Sequence, residues 1–401
     1  MSSRWIRLLA ALLAMSTALT GCYNSRELNE LAIVSGIGID LVPGKQEYKV
    51  SFQIVNPNST PTTVSPGSGL PAIIVISATD DTVFGALRKA SKRATRQLFF
   101  AHAQMVAIGE PLARQGINHV FDIFERSHEL RLNSAVLVAR DTSAEALLKL
   151  LSPIESISTL GIVNKVRNTS NVWGENRTID VFEIISEIAG VGEITVNGLR
   201  IPGDPEEGSK KSSLEQSGFK GGNIMSGLAV LKDGKLIGWM DGSEARGTQW
   251  VLNRINETSV NVDVPGSSAK AAVNIFHSRT NVKVKLIEEV PVFHVSIHEE
   301  GIVNEAGGFI DFSIKETRDQ LEEELKARTI EEVRQAVERA QGMKSDIFNF
   351  GNELKRTHPQ DWEKVKDRWD SVFAKGKLDL HVESYIRSTG MRTKTYTNPE
   401  Q

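Results

Sequence analysis

IIVISATDDTVFGALRKASKRATRQLFFAHAQMVAIG, residues 73–109, is the stretch on which the fold turns. Ile73 to Ala78 is an apolar run of strand length. Asp80 or Asp81 then offers a helix cap. Val83, Phe84, Leu87, Ala90, Ala94 and Leu98 recur at helical spacing, with Lys89, Lys92 and Arg93 on the outer face. Gln104 to Gly109 returns to strand character. The rhythm is βαβ, and it continues: Pro111 to about Glu125 reads as a helix, Leu130 to Ala139 as a strand, and Arg140-Asp141-Thr142-Ser143 starts a further helix through Leu151. Interleaved strands and helices predict a small sheet covered by helices on one face, so the N-terminal half is expected to hold small helix-covered sheets.

Upstream, Glu30 to Asp40 (ELAIVSGIGID) and Tyr48 to Val55 (YKVSFQIV) predict a hairpin across Pro43-Gly44. Asn56 to Pro71, rich in Pro, Ser, Thr and Gly, is a surface excursion or hinge. Downstream the pattern loosens from Gly161 to Gly203, with a short helix at Asp180 to Ala189 and an extended piece at Glu193 to Ile201. GDPEEGSKKSSLEQSGFKGG, residues 203–222, is the clearest linker and the expected domain boundary. Strands follow at Asn223 to Lys232 and Lys235 to Met240 across Asp233-Gly234, then at Lys270 to Thr280, Asn281 to Glu288 and Val290 to Glu299. The period then changes to helical. Leu321, Leu325, Ile330, Val333, Val337 and Ala340 stripe a helix over about 316–342. Asp346 to Glu353, Asp361 to Val372 and a strand at Lys377 to Ile386 close the chain. This order predicts a larger antiparallel-rich sheet with long helices in the C-terminal half, and an α+β, multi-domain chain.

The N-terminus carries MSSRWIRLLAALLAMSTALTGC, residues 1–22. Arg4 and Arg7 precede a short apolar run and then small residues, the layout of a secretory signal segment. The run is shorter than the roughly 20 apolar residues that cross a bilayer as a helix. Leu19-Thr20-Gly21-Cys22 resembles the bacterial lipobox, which implies cleavage between Gly21 and Cys22, a diacylglyceryl thioether on Cys22 and N-acylation. Two or more acyl chains anchor stably where one is marginal. Cys22 is the only cysteine in 401 residues, so no disulfide is available and stability comes from packed cores. The net charge of −3 leaves no basic footprint for nucleic acid.

No catalytic set assembles from the sequence. Gly36-Ile37-Gly38 lacks the third glycine and the following helix of a dinucleotide loop, and neither GxxxxGK[ST] nor GxSxG occurs. His294 and His298 alternate with Phe293, Val295 and Ile297, which places the histidines on a solvated sheet face; no metal and no cofactor is expected. His128-Glu129 reads as a junction cap. Glu322-Glu323-Glu324 and Glu331-Glu332, offset by Lys326, Arg328 and Arg334, read as the wet face of their helix.

Several stretches together resemble the Ger(x)C lipoprotein family, the C subunits of bacterial spore germinant receptors. They are Gly21 to Leu28 (GCYNSREL, with Tyr23 and Asn24 where the family has Trp and an acid), ELAIVSGIGID, Arg93 to Ile117, Arg126 to Arg140 and Gly227 to Ile255. Lys344 to Leu354 and the final WDSVFAKGKLDLHVESYIRSTG complete them. The resemblance implies a non-enzymatic subunit on the outer face of the spore inner membrane, partnered by a polytopic A subunit and a transporter-like B subunit. It implies a signal peptide (1–21), an N-terminal domain (22–202) with subdomain breaks near 56–71 and 153, a linker (203–222), a C-terminal domain (223–393) and a tail (394–401). Cys22 carries the lipid. Glu129, Arg131, Trp239, Asp241 and Arg246 are candidate partner-contact or structural residues, and Trp362 and Trp369 are expected to pack in the core. The alternative is an extracytoplasmic solute-binding lipoprotein with a ligand held between lobes.

Overall fold

The computed structural model describes residues 27–388 and Trp5, apart from 58, 60–69, 189–192, 216, 219–221, 265–267, 308–310 and 312. The signal segment apart from Trp5, Gly21 and Cys22 included, and the tail at 394–401 lie outside the described residues.

The chain begins with a hairpin, β1 (Leu31–Leu41) and β2 (Tyr48–Val55), turned at Gly44, whose φ of 74° suits glycine. β3 (Ile73–Asp80) pairs antiparallel with β2, and Thr82 caps α1 (Val83–Ala90) through its hydroxyl. β4 (Gln97–Phe99), β5 (Met105–Gly109), α2 (Glu110–Gln115), α3 (Asn118–Arg126), β6 (Ala135–Ala139), α4 (Ala144–Lys149), α5 (Ser158–Val172), α6 (Val181–Ile188) and β7 (Ile194–Arg200) follow. After a turn of helix, α7 (Pro205–Gly208), come β8 (Ile224–Lys232) and β9 (Lys235–Met240). These strands form one nine-stranded sheet, β3-β2-β1-β5-β6-β7-β8-β9, with β4 alongside β1. β1, β5, β6 and β7 run parallel, and antiparallel pairs flank them.

Both faces of this sheet are covered, not the one face expected, which explains why its central strands read as unbroken apolar runs. Val106, Ile108, Val136 and Val138 pack with α1, α2, α3 and α6; Met105, Ala107, Leu137 and Ala139 pack with α4 and α5. The Gly36-Ile37-Gly38 run serves packing. A Cβ on Gly36 would sit 2.5 Å from Thr159 Cγ2, and one on Gly38 would sit 3.0 Å from Leu148 Cδ1. Asp40 caps α4, accepting from the Ala144 and Glu145 amides at 2.8 and 3.0 Å.

The second sheet is smaller: β10 (Thr258–Asp263), β11 (Lys270–Ile287), β12 (Val290–Ala306) and β13 (Lys377–Ser388), in that order. α8 (Ser243–Val251) precedes it; α9 (Lys315–Gly342), α10 (Phe350–Thr357), α11 (Pro359–Val365) and α12 (Trp369–Phe373) lie between β12 and β13. Leu321, Leu325, Val333, Val337 and Ala340 of α9 are buried against this sheet, as their spacing requires. Trp362 and Trp369 meet edge to face at 5.5 Å in the same core, from two helices rather than one.

The class is α+β, as expected, but the sheet sizes are reversed. Residues 56–71 join two paired strands, Val55 facing Ile73, and residue 153 lies between two helices on one face, so neither breaks the sheet. Residues 203–222 do not end it either, because β8 continues it beside β7. The helix expected over 111–125 is split at Gly116, whose φ is 134°, and α1 stops before Leu98, which belongs to β4. α5 was not expected. The pieces 270–280 and 281–288 are one strand, and the hairpin turns instead at Glu288 and Glu289, both at positive φ.

Candidate functional site

Three of the five candidate contact residues knit the molecule together. Trp239 is buried on β9, lying so close over β7 that a Cβ on Gly198 would be 2.5 Å from its ring. The Arg140 guanidinium stacks over that ring at 4.4 Å and makes two hydrogen bonds to Asp241, at 2.5 and 3.0 Å. Arg246, on α8, donates its Nε to Glu332 Oε2 at 2.8 Å and a second bond to Oε1; Trp250 Nε1 donates to the same carboxylate at 3.3 Å. Glu332 was expected on the wet face of its helix, yet it is wholly buried, because α8 crosses there and supplies the cation. Gly247 permits the crossing: a Cβ would lie 2.1 Å from the Glu332 carbonyl oxygen. Such a pair tolerates the loss of neither partner, since the survivor is a buried uncompensated charge.

Glu299 completes this cluster. It is wholly buried on β12, and accepts from the Ser384 hydroxyl at 2.6 Å and the Thr329 hydroxyl at 3.0 Å. Burial pushes its pKa up to about 7 against those hydrogen bonds, with the Glu332 charge adding to the rise. Sequence reading passed over Glu299, although the alternation in VFHVSIHEE puts it on the apolar face with Phe293, Val295 and Ile297. His294 and His298 take the opposite face as expected, the first 2.7 Å from Asp379 and the second 3.2 Å from Glu300.

Glu129 lines a groove of about 660 Å³ between α1 and α3, over the start of β2. Val83, Phe84 and Ile123 form its apolar part. The Tyr48 hydroxyl and His119 Nε2 are 2.7 Å apart, Arg88 lies over the Phe84 ring at 4.9 Å, and His128 sits among the lining residues. The groove's cations are neutralised locally, Arg88 by Glu129 at 3.0 Å and Arg126 by Asp122 at 2.7 Å. The Arg126 hydrogen bond holds the Asp122 carboxyl below its usual range. An apolar floor with self-paired charges suits a small molecule or a partner's side chain with an apolar body. Arg131 is exposed in the turn before β6, outside this groove, and its carbonyl accepts from Ser134 at 3.3 Å. Among the described residues no three His, Cys, Asp or Glu side chains are grouped to hold a metal ion.

Residues 24–201 match the family described as "Spore germination protein N-terminal domain", and residues 226–390 match "Spore germination B3/ GerAC like, C-terminal". Spore germination protein KC of Bacillus subtilis (strain 168) is 31% identical over 392 residues, 96% of either chain. The chain belongs to the GerAC family of spore germination proteins. This GerAC family member is also similar to Spore germination protein B3 of the same organism, 24% identical over 391 residues, covering 94% of this chain and 96% of that one. The crystal structure of the GerBC protein shares the fold, with a TM-score of 0.57 at 20% identity, over 88% of this chain and 97% of that one. The two family matches part between 201 and 226, whereas the first sheet of this GerAC protein runs on through that interval into β8 and β9.

Proposed function

We propose that this spore germination protein is the lipid-anchored, non-catalytic C subunit of a germinant receptor, needed for nutrient-triggered germination. It would sit on the outer face of the spore inner membrane beside a polytopic A subunit and a transporter-like B subunit. The observation that carries this reading is similarity from end to end to Spore germination protein KC, at 31% identity, in a chain whose one cysteine follows Leu-Thr-Gly. No helix among the described residues is long and apolar enough to cross a membrane. A lipid on Cys22 supplies the attachment, and confinement to the membrane surface raises the effective concentration of the chain near its partners. Glu129 and Arg131, both at the surface, are the proposed partner contacts; Trp239 and Arg246 are buried, and Asp241 is exposed and paired with Arg140.

The test uses dormant spores carrying wild type or Cys22→Ala. Wild type is expected in the inner-membrane fraction. The variant should be lost from it, and one response in a panel of amino acids and sugars, read as loss of optical density, should fail with it. Precursor size is followed in parallel, so that an uncleaved signal is not mistaken for a lipid anchor. Normal germination on every nutrient, with tight nutrient binding by the purified chain, would instead establish the solute-binding alternative.

A further inference from the structure

A second pocket, of about 530 Å³, opens where the first sheet's helical layer meets the start of the second sheet. Three arginines line it, Arg167 from the end of α5, Arg177 from the stretch before α6, and Arg254 from the connection between α8 and β10. Arg177 is only 8% exposed, and its backbone is pinned on both sides by the Asn197 side chain: its N–H donates to Oδ1 at 3.0 Å and its carbonyl accepts from Nδ2. Its guanidinium has one carboxylate partner, Glu183 at 3.2 Å, and its Nε is buried with no hydrogen-bond partner. An orphaned donor on a buried cation is costly unless something else at the site compensates it.

The other two guanidiniums are exposed, and neither has a hydrogen bond or ion pair among the described residues. Arg254 lies close enough to Arg177 that its charge, after burial, helps depress the Arg177 pKa to about 10. Burial raises the Glu187 pKa nearby, against the opposing pull of Arg177 and Arg254. Asn171, Asn253 and Asn256 complete a wall rich in amide donors; Asn256 Nδ2 already donates to Asn171 Oδ1 at 3.2 Å. The pocket therefore holds more positive charge and more donors than its own carboxylates satisfy.

We propose that this pocket is an oxyanion site, taking one phosphate or carboxylate group between Arg167, Arg177 and Arg254, with Asn171, Asn253 and Asn256 orienting it. The group could be presented by a soluble metabolite or by a lipid headgroup; guanidinium forks and amide donors recognise either. The bound group bridges the two halves of the molecule. The junction is already tight there, with the Thr258 hydroxyl donating to the Trp173 carbonyl at 2.7 Å and Gly174 pressed against Ile255.

The test is calorimetric titration of the full chain in neutral detergent micelles at constant ionic strength, with chloride as the background anion. Inorganic phosphate and citrate probe the soluble arm, and phosphatidylglycerol doped into the micelles probes the headgroup arm. Saturable one-site binding in at least one arm is expected, and the arm that responds identifies the source. Arg254→Gln and Arg167→Gln alter exposed side chains, and each should weaken binding by about tenfold or more, the usual loss for a charge-assisted hydrogen bond. Arg356→Gln, on the far helix α10, should leave binding unchanged. Circular dichroism confirms that the variants are folded, so the buried Arg177 need not be altered. Absence of saturable binding in both arms, or binding that survives both substitutions at full strength, would overturn the proposal.

Discussion

Glu299 has the surroundings of a core residue and the chemistry of a surface one. Its neighbouring cation, Arg246, is committed to Glu332, so Glu299 keeps only two hydroxyl donors, and its pKa rises to about 7. Folding therefore favours the protonated form. Between the ordinary carboxyl pKa of about 4.5 and about 7, the folded chain holds a proton that the unfolded chain has released. That contribution to stability is complete at low pH and lost as pH rises through 7. Glu193, pushed by burial to about 7 beside Lys232, slopes the same way. Glu299→Gln carries no titrating proton at this position. Its stability should fall less than that of wild type between pH 5 and 8, leaving it roughly 1–3 kcal/mol ahead at pH 8. Denaturation midpoints at the two pH values check this; parallel losses in both proteins would place the titrating group elsewhere. Arg246 was visible in the sequence as a candidate, but Glu332 was not its evident partner. The two are 86 positions apart, and helical periodicity carries no information about which helix crosses where.

At the scale of elements, the packing of α4 and α5 on β1 depends on absent side chains. Gln53 of β2 is wholly buried there and fully engaged: its amide donates to the Leu148 carbonyl at 2.7 Å and Ser158 Oγ at 2.8 Å, and its oxygen accepts from Thr159 Oγ1 at 2.8 Å. A methyl at Gly36 would meet Thr159 Cγ2 at 2.5 Å, and rotating that threonine away would break its bond to Gln53. Gly36→Ala is therefore expected to destabilise the chain by about 1–3 kcal/mol, the usual cost of overpacking. Chemical denaturation measures it, and an unchanged midpoint would show that α5 can shift without loss. The same polar seam explains why α5 escaped sequence reading. Its buried positions include Ser158 and Thr159 beside Ile162 and Val166, so its apolar stripe is interrupted. α9 was legible because Leu321, Leu325, Val333 and Val337 form a continuous one.

For the whole molecule, β8 and β9 are the shared wall. Ala229, Leu231 and Trp239 face the first sheet's core, while Leu228, Val230 and Met240 belong to the core of the second. A chain stopped at residue 202 loses this wall, leaving β7 as an open edge and Arg140 without Trp239 and Asp241. Residues 22–202 alone should lack a cooperative thermal transition; a sharp melt by differential scanning calorimetry would show that seven strands hold without β8 and β9. Local pattern was enough to determine the lipobox-like cysteine, the α+β class, most strand positions and the long C-terminal helix, because side-chain period and turn residues act over a few positions of chain. Sheet membership across 203–222, the relative sizes of the sheets, the burial of Glu299 and Glu332, and the convergence of Arg167, Arg177 and Arg254 were decided only by tertiary structure. Each depends on which distant segments meet, and that is set by the joint packing of whole faces.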